Sequence, residues 1–243
     1  MTKARADYGF DAPHFAIGVA IVAVLAFGAS IILFANSFLW AAGLSFVIGL
    51  VFSLSAVSFV WTTRRGKFMV WAELLDALAL KGDERLLDVG CGRGTVLVLA
   101  AKRLPAGRAI GVDIWSSVDQ SGNSERVTLR NAEIEGVRER VEAHTADMRR
   151  LPFPDESFEV VASSLAIHNV DSAPGREQAL SEILRVLKRD GTAMIVDILH
   201  TPDYQKYFSA QPGAEVERRR LGWRFWYGGP LMAATLVKVR RSR

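Results

Sequence analysis

No aspartate, glutamate, lysine or arginine occurs between Asp11 and Arg64. A run of that length restricts what the chain can form, because a helix lying on a soluble core needs at least one polar face. It is too long for one bilayer crossing and suits two. Phe15–Phe34 gives ~30 Å of helix at ~1.5 Å per residue, and Phe38–Trp61 gives a second, slightly longer span. Ala35-Asn36-Ser37 supplies a polar turn between them. Residues 1–63 therefore read as a transmembrane helical hairpin. Two other readings stay open: a cleavable signal peptide opening on Lys3 and Arg5, and a core hairpin of a soluble protein. A second span in the place of a polar mature sequence weighs against the first. The lack of charge on every face weighs against the second.

Orientation follows from the cations. The turn between the spans has none, whereas Arg64, Arg65 and Lys67 follow the second span and Lys238, Arg240, Arg241 and Arg243 lie near the chain end. The positive-inside rule places both termini, and whatever follows the hairpin, in the cytoplasm. Ala41, Ser45, Gly49 and Ser53 recur every four residues, a small ridge that would let the first span approach closely.

The formal net charge is +4 over 243 residues. Lys3 and Arg5 balance Asp7 and Asp11, so the excess belongs to residues 62–243, too mild to suggest nucleic acid. Cys91 is the only cysteine, which excludes an intrachain disulfide and a cysteine zinc site; no metal site is expected.

Beyond the hairpin, residues 64–84 read as a linker and a first helix with its pattern over Phe68–Leu80. Residues 85–243 then alternate strands and helices. Strands are expected at Arg85–Val89, Ala109–Ile114, Val141–Thr145, Glu159–Leu165 and Thr192–Leu199. Helices are expected at Thr95–Leu104, at Asn123–Val137 with Asn123 or Ser124 as cap, and at Arg176–Leu187, stopped by Asp190-Gly191. Weak alternation at Trp223–Tyr227 and Ala233–Val239 suggests a closing antiparallel pair. The alternation implies an α/β, doubly wound, mostly parallel sheet with its ligand at the carboxyl ends of the strands.

Leu87-Asp88-Val89-Gly90-Cys91-Gly92-Arg93-Gly94-Thr95 carries the strongest chemical signal. An apolar strand runs into three alternate glycines and then a helix, which permits a tight turn and a ligand against bare backbone. A dinucleotide fingerprint needs a third glycine where Thr95 stands, which disfavours an oxidoreductase. A phosphate loop needs Gly-Lys-Ser/Thr, which is absent. A carboxylate at Asp88 suits a cationic, amino-bearing ligand, and S-adenosylmethionine fits.

That block, followed by GVDIW, TADMRRLPFPDESFEVVASSLAIHNV and LSEILRVLKRDGTAMIVDI, resembles the class I S-adenosylmethionine-dependent methyltransferases. It is most similar to the small-molecule group that includes quinone-biosynthesis enzymes. The resemblance covers roughly Leu75–Leu199 and implies a seven-stranded, Rossmann-like sheet. It also implies that Asp88 and the backbone at Gly90, Cys91 and Gly92 hold the methionine end, and that Asp113 grips the ribose hydroxyls. Ile114 and Trp115 would line the adenine, with Asp147 and Met148 at its amino group. Candidates sit after strands four and five: the acceptor would lie after strand four, making His168 a candidate base with Asn169 next in the chain; Asp197 and His200, which end strand five, are weaker candidates, and His144 reads as structural. Residues 115–123 suggest a substrate-side lid or an ordinary crossover loop. The aromatics Trp223, Phe225, Trp226 and Tyr227 would meet an apolar acceptor, the bilayer or the core. No Asn/Asp-Pro-Pro-Tyr/Phe motif is present, which disfavours the amide-nitrogen branch of the family. The expectation is a membrane-anchored methyltransferase working on a small or lipid-soluble acceptor at the cytosolic face. The rival is a cofactor-binding membrane scaffold without turnover.

Overall fold

The computed structural model describes residues 5–116, 120 and 122–242. Two helices open the chain, α1 (Pro13–Ala35) and α2 (Leu39–Trp61). Pro13 starts α1 without the loss of a needed N–H. Its end is closed by Asn36, whose side-chain amide donates to the Ile32 carbonyl at 2.8 Å, and Ser37 turns the chain at a φ of 63°. The helices pack as an antiparallel pair. The Phe27 ring packs on Gly49, where a Cβ would lie 2.8 Å from it. The Ser30 hydroxyl donates to the Ala42 carbonyl. Ala42, not Ala41, is the buried alanine, because rows of four drift around a helix of 3.6 residues per turn.

α2 does not end at the polar boundary. It continues through one π-helical turn, Thr62–Gly66, into α3 (Lys67–Asp76), so that Leu39–Asp76 is a single 38-residue helix. The first helix of the following domain is thus an extension of the second apolar helix.

The sheet contains β1 (Arg85–Val89), β2 (Arg108–Asp113), β3 (Val141–Thr145), β4 (Phe158–Ser164), β5 (Leu187–Asp197), β6 (Ala214–Arg220) and β7 (Thr235–Arg241). Their order is β3-β2-β1-β4-β5-β7-β6. β1 through β5 are parallel, and β7 runs antiparallel to both its neighbours. This is the expected doubly wound, seven-stranded sheet. Alternate residues feed two cores. Leu86, Ala109, Val160 and Met194 face α3, α4 (Thr95–Ala101) and α5 (Glu125–Ile134). Leu87, Ile110, Val161 and Ile195 face α6 (Ala173–Val186) and α7 (Thr201–Ser209). Ser124 caps α5 and Ser172 caps α6, each hydroxyl accepting from a first-turn amide.

Two expectations need correction. The Asp190-Gly191 break does not precede β5 but lies within it, as an irregularity in a strand that begins at Leu187. The closing antiparallel pair is β6 with β7, not Trp223–Tyr227 with Ala233–Val239. Trp223–Phe225 is a 3₁₀ turn, and only Trp226 and Ala233 form a bridge. β6 reads AEVERRR, an edge strand whose charges hide its alternation, as edge strands commonly do.

The hairpin base is built into the domain. Phe59 of α2 is buried in the first core against Tyr227, at 5.1 Å between ring centroids. Lys67, whose side chain is only 6% exposed, is paired with Asp11 at 2.8 Å. The Tyr227 hydroxyl donates to the same carboxylate at 2.8 Å. Removing one partner of a buried ion pair leaves a desolvated charge. Asp11→Ala should therefore lower stability by about 3 kcal/mol or more. Chemical denaturation of the detergent-solubilised protein, followed by tryptophan fluorescence, checks this; a midpoint equal to wild type would contradict it.

Candidate active site

The carboxyl edge of the sheet gathers the expected residues. Asp88 sits in β1 between Gly111 and Ala162, one residue before the strand ends. It is 1% exposed, and neither carboxylate oxygen has a hydrogen-bond partner among the described residues. Burial pushes its pKa up to about 8; the nearby Leu97 amide pulls it down and Asp113 adds to the rise. A buried carboxylate without a donor is costly and calls for a cationic partner.

After β1 the chain turns at Gly90, at a φ of 74°. The Gly90 and Cys91 amides both donate to the Val112 carbonyl, which folds the loop back over β2. A Cβ at Gly90 would lie 2.2 Å from Ala166, so glycine is required for the β4 loop to approach. The Cys91 side chain packs beneath the loop against Gly111. Burial and the Asp88 and Asp113 carboxylates push its thiol pKa well up, so it is a small apolar group and only its backbone can face a ligand.

Asp113 ends β2 and ties the two loops together. One oxygen accepts from the Gly92 amide at 2.8 Å, the other from the Trp115 amide at 2.6 Å and the Asn123 side chain at 3.3 Å. Ile114 is exposed beside it, and the Trp115 indole donates to Thr145 at the end of β3. Met148 reaches toward Gly90. Asp147 is engaged elsewhere: its carboxylate accepts from the Arg149 guanidinium at 2.6 Å, which holds its pKa below the ordinary range. Of residues 115–123, positions 117–119 and 121 lie outside the described residues, so the lid expectation has no structural account there.

His168 and Asp197, read separately from the sequence, come together. His168 lies on the 3₁₀ turn after β4, and Asp197 ends β5. His168 Nδ1 lies 2.5 Å from Asp197 Oδ1. The fully buried carboxylate also accepts from the His168 amide at 3.1 Å, the Ile198 amide at 2.8 Å and the Tyr204 hydroxyl at 3.3 Å. Burial and Asp197 raise the Tyr204 pKa, which keeps the phenol a donor. Asn169 is exposed next to this pair. His200 lies 3.6 Å from Asp203, and His144 faces Glu142 on the edge strand.

The sequence did not reveal that residues 7–11 lie against the glycine loop. The Arg93 guanidinium, almost buried, donates to the Asp7 carbonyl and carboxylate. Asn131 bridges Asp7 and the Arg93 carbonyl. Gln120 accepts from the Arg93 amide and donates to the Tyr8 carbonyl and to Asp11. A signal was available: two apolar helices of nearly equal length return the chain to its starting level, which sets Asp11 opposite Arg64–Lys67.

Comparison with known proteins bears on the domain and its fold. Residues 87–195 match the family model described as Methyltransferase domain. The chain is 33% identical over 139 residues to the ubiquinone/menaquinone biosynthesis C-methyltransferase UbiE of Dinoroseobacter shibae, covering 57% of this chain and 52% of that protein. It is 29% identical over 133 residues to the sterol 4-C-methyltransferase strm-1 of Caenorhabditis elegans, covering 55% of this chain and 36% of that protein. The chain thus spans about half or less of the length of these curated relatives. Its fold is shared with a geranyl diphosphate C-methyltransferase of Streptomyces coelicolor, solved with Mg²⁺, geranyl diphosphate and S-adenosyl-L-homocysteine. That similarity has a TM-score of 0.55 and 18% identity over 70% of this chain and 78% of the other. Residues 87–195 are thus similar to a methyltransferase domain, and the sheet that contains them shares the fold of solved methyltransferases. The residues present fit the cofactor: Asp88 lacks a cation, and side-chain-free glycines front the loop above it.

Two outcomes follow. Asp113→Ala removes the acceptor that orders both loops and should weaken S-adenosylmethionine binding roughly ten- to hundred-fold, measured by calorimetry. Asp88 supplies a pH test. Its raised pKa means that the unliganded protein holds a proton there at neutral pH. The unfolded chain does not, so this group lowers stability as pH rises from about 4 to about 8. A cationic ligand favours the ionised form. Affinity should therefore rise between about pH 5 and 7, by up to about tenfold per unit, with proton release seen as a buffer-dependent enthalpy. Asp88→Asn should abolish that dependence.

Proposed function

We propose that this protein is a membrane-anchored, S-adenosylmethionine-dependent methyltransferase acting on a small or lipid-soluble acceptor at the cytosolic face. The observation that carries the catalytic reading is the convergence of Asp88, Asp113 and the Asp197–His168 pair on one sheet edge. When bound, the cofactor supplies an electrophilic methyl group on a positively charged sulfur. The chain supplies alignment and proton handling. Asp88 and the Gly90–Gly92 backbone hold the methionine end, and Asp113 the ribose. A carboxylate at Nδ1 favours the tautomer with the lone pair on His168 Nε2, which takes a proton from the acceptor as its nucleophilic atom attacks. Asp197 then faces the imidazolium so formed. Asp147, although paired with Arg149, is 40% exposed and keeps acceptor capacity for the adenine amino group.

The anchor is supported by exposure as well as length. Val24, Ile31 and Trp40 are 70%, 72% and 78% exposed, and only a narrow stripe of each helix is covered by the other. Apolar surface on that scale needs a lipid or protein partner. C-methylation of a quinone or a sterol is named for the two relatives above, which favours an isoprenoid or ring-bearing lipid as acceptor.

Incubation of the solubilised protein with labelled cofactor and membrane lipid extract should yield S-adenosylhomocysteine and a labelled lipid. Binding without either product would favour the scaffold reading. His168→Gln should slow transfer by about 10²–10⁴-fold while leaving cofactor affinity near wild type, if the acceptor must lose a proton. For topology, protease should digest the domain in inside-out vesicles and spare it in intact cells; the reverse would overturn the cytosolic assignment.

A further inference from the structure

The long helix and one loop of the domain fix which side of the sheet meets the membrane. Along α3, Lys67 contacts Asp11 beside the glycine loop, and the Trp71 indole donates to Ser164 at the end of β4, at 2.9 Å. One and a half turns further, Asp76 accepts from Arg103, which follows α4. Leu78 and Leu80 then reach the opposite edge, where they line a cavity with Lys81, Asp83, Val160 and Thr192. α3 therefore runs from the carboxyl edge of the strands to their amino edge. Because it is the unbroken continuation of α2, the carboxyl edge is the one nearer the hairpin. Trp61 and Trp71 are ten residues apart, or ~15 Å along a helix.

The connection from β6 to β7 leaves the same edge and runs back along α2. The Arg224 carbonyl fills the space beside Gly66, where a Cβ would lie 1.8 Å from it. The Trp226 carbonyl accepts from Thr62 at 2.7 Å and from Ser58 at 3.1 Å. Gly228 reaches Ser55 and the Phe15 ring. The loop thus follows α2 to a level six residues inside Trp61, ~9 Å below it. Trp223 stacks on Trp61 at 6.2 Å and is 60% exposed, while Leu231 at the tip is 96% exposed. Arg64 and Arg65 are exposed just above.

We infer that the Trp223–Met232 loop is a second membrane contact, set in the headgroup layer of the leaflet that the hairpin enters, and that it holds the carboxyl edge of the sheet toward the bilayer. The occupant of this surface is lipid. The loop is continuous with the faces of the hairpin that lipid would cover. Its Trp223 is paired with Trp61 of α2, a residue type favoured at the interface, and exposed arginines stand where anionic headgroups would lie. An irregular backbone cannot sit in hydrocarbon, so the tip marks the top of the acyl region and Leu231 points into it. The inference rests on the anchoring reading and narrows it. The site containing His168 and Asp197 opens on the membrane side, and its acceptor is taken from the bilayer, not from the cytosol.

The test is spin-label accessibility of the full-length protein in vesicles of phosphatidylcholine and phosphatidylglycerol. Buried Cys91 resists the label. Single labels at Val24→Cys, Leu231→Cys and Lys81→Cys are compared for collision with oxygen and with a water-soluble nickel chelate. Expected is a ratio of oxygen to nickel collision several-fold higher at 231 than at 81, approaching that at 24. A label at 231 as open to nickel as that at 81, with 24 still in lipid, would overturn the inference and leave the anchor standing. A label at 24 open to nickel would overturn both. Pro230→Cys, exposed beside Leu231, repeats the test should Leu231→Cys fold poorly.

Discussion

The structure depends on one carboxylate. Asp11 receives the Lys67 ammonium and the Tyr227 hydroxyl in a largely buried site, drawing together three segments far apart in the chain. In that low-dielectric setting each partner needs the others, because an unpaired member would carry the cost of its own desolvation. Around this junction Phe59 enters the domain core, Arg224 closes on Gly66, and residues 7–11 are held over the glycine loop. The two apolar helices and the sheet accordingly share a core at their junction.

Groups at the carboxyl edge are sorted by burial and partner more than by residue type. Asp88, Asp113, Asp147 and Asp197 are all strand-end or loop carboxylates. Asp88 is buried with no cation and only the Leu97 amide nearby and is held protonated, and Asp113 is spent on the amides that order two loops. Asp147 is neutralised by Arg149, and Asp197 gathers amide, phenol and imidazole. The only one lacking a counterpart is the one beneath the glycine turn, where a cationic ligand would complete it.

Strands β1 to β4 were readable within a residue or two because β1, β2 and β4 are short, mostly apolar runs and β3 alternates apolar and polar residues before its turn. The hairpin was readable because charge is absent from every face. β6 was not, since an edge strand packs on one side and its remaining positions are charged. The aromatic cluster was read as a strand, yet its members divide: Phe225 and Tyr227 are buried at the junction while Trp223 is exposed beside Trp61. Local pattern could not separate them, because their environments are set by α2, more than 150 residues earlier in the chain.

The sequence by itself determined the order of elements, the glycine turn and the carboxylates at the ends of four of the five parallel strands. Periodicity and backbone freedom are properties of neighbouring residues. Only the tertiary structure decided that His168 and Asp197 form a pair, that Asp11 and Lys67 share a buried contact, and that α2 runs into α3 without a break. Those outcomes depend on through-space distance between segments remote in the chain. Such distances are set when alternate strand residues find their cores and bring the ends of the strands to one edge.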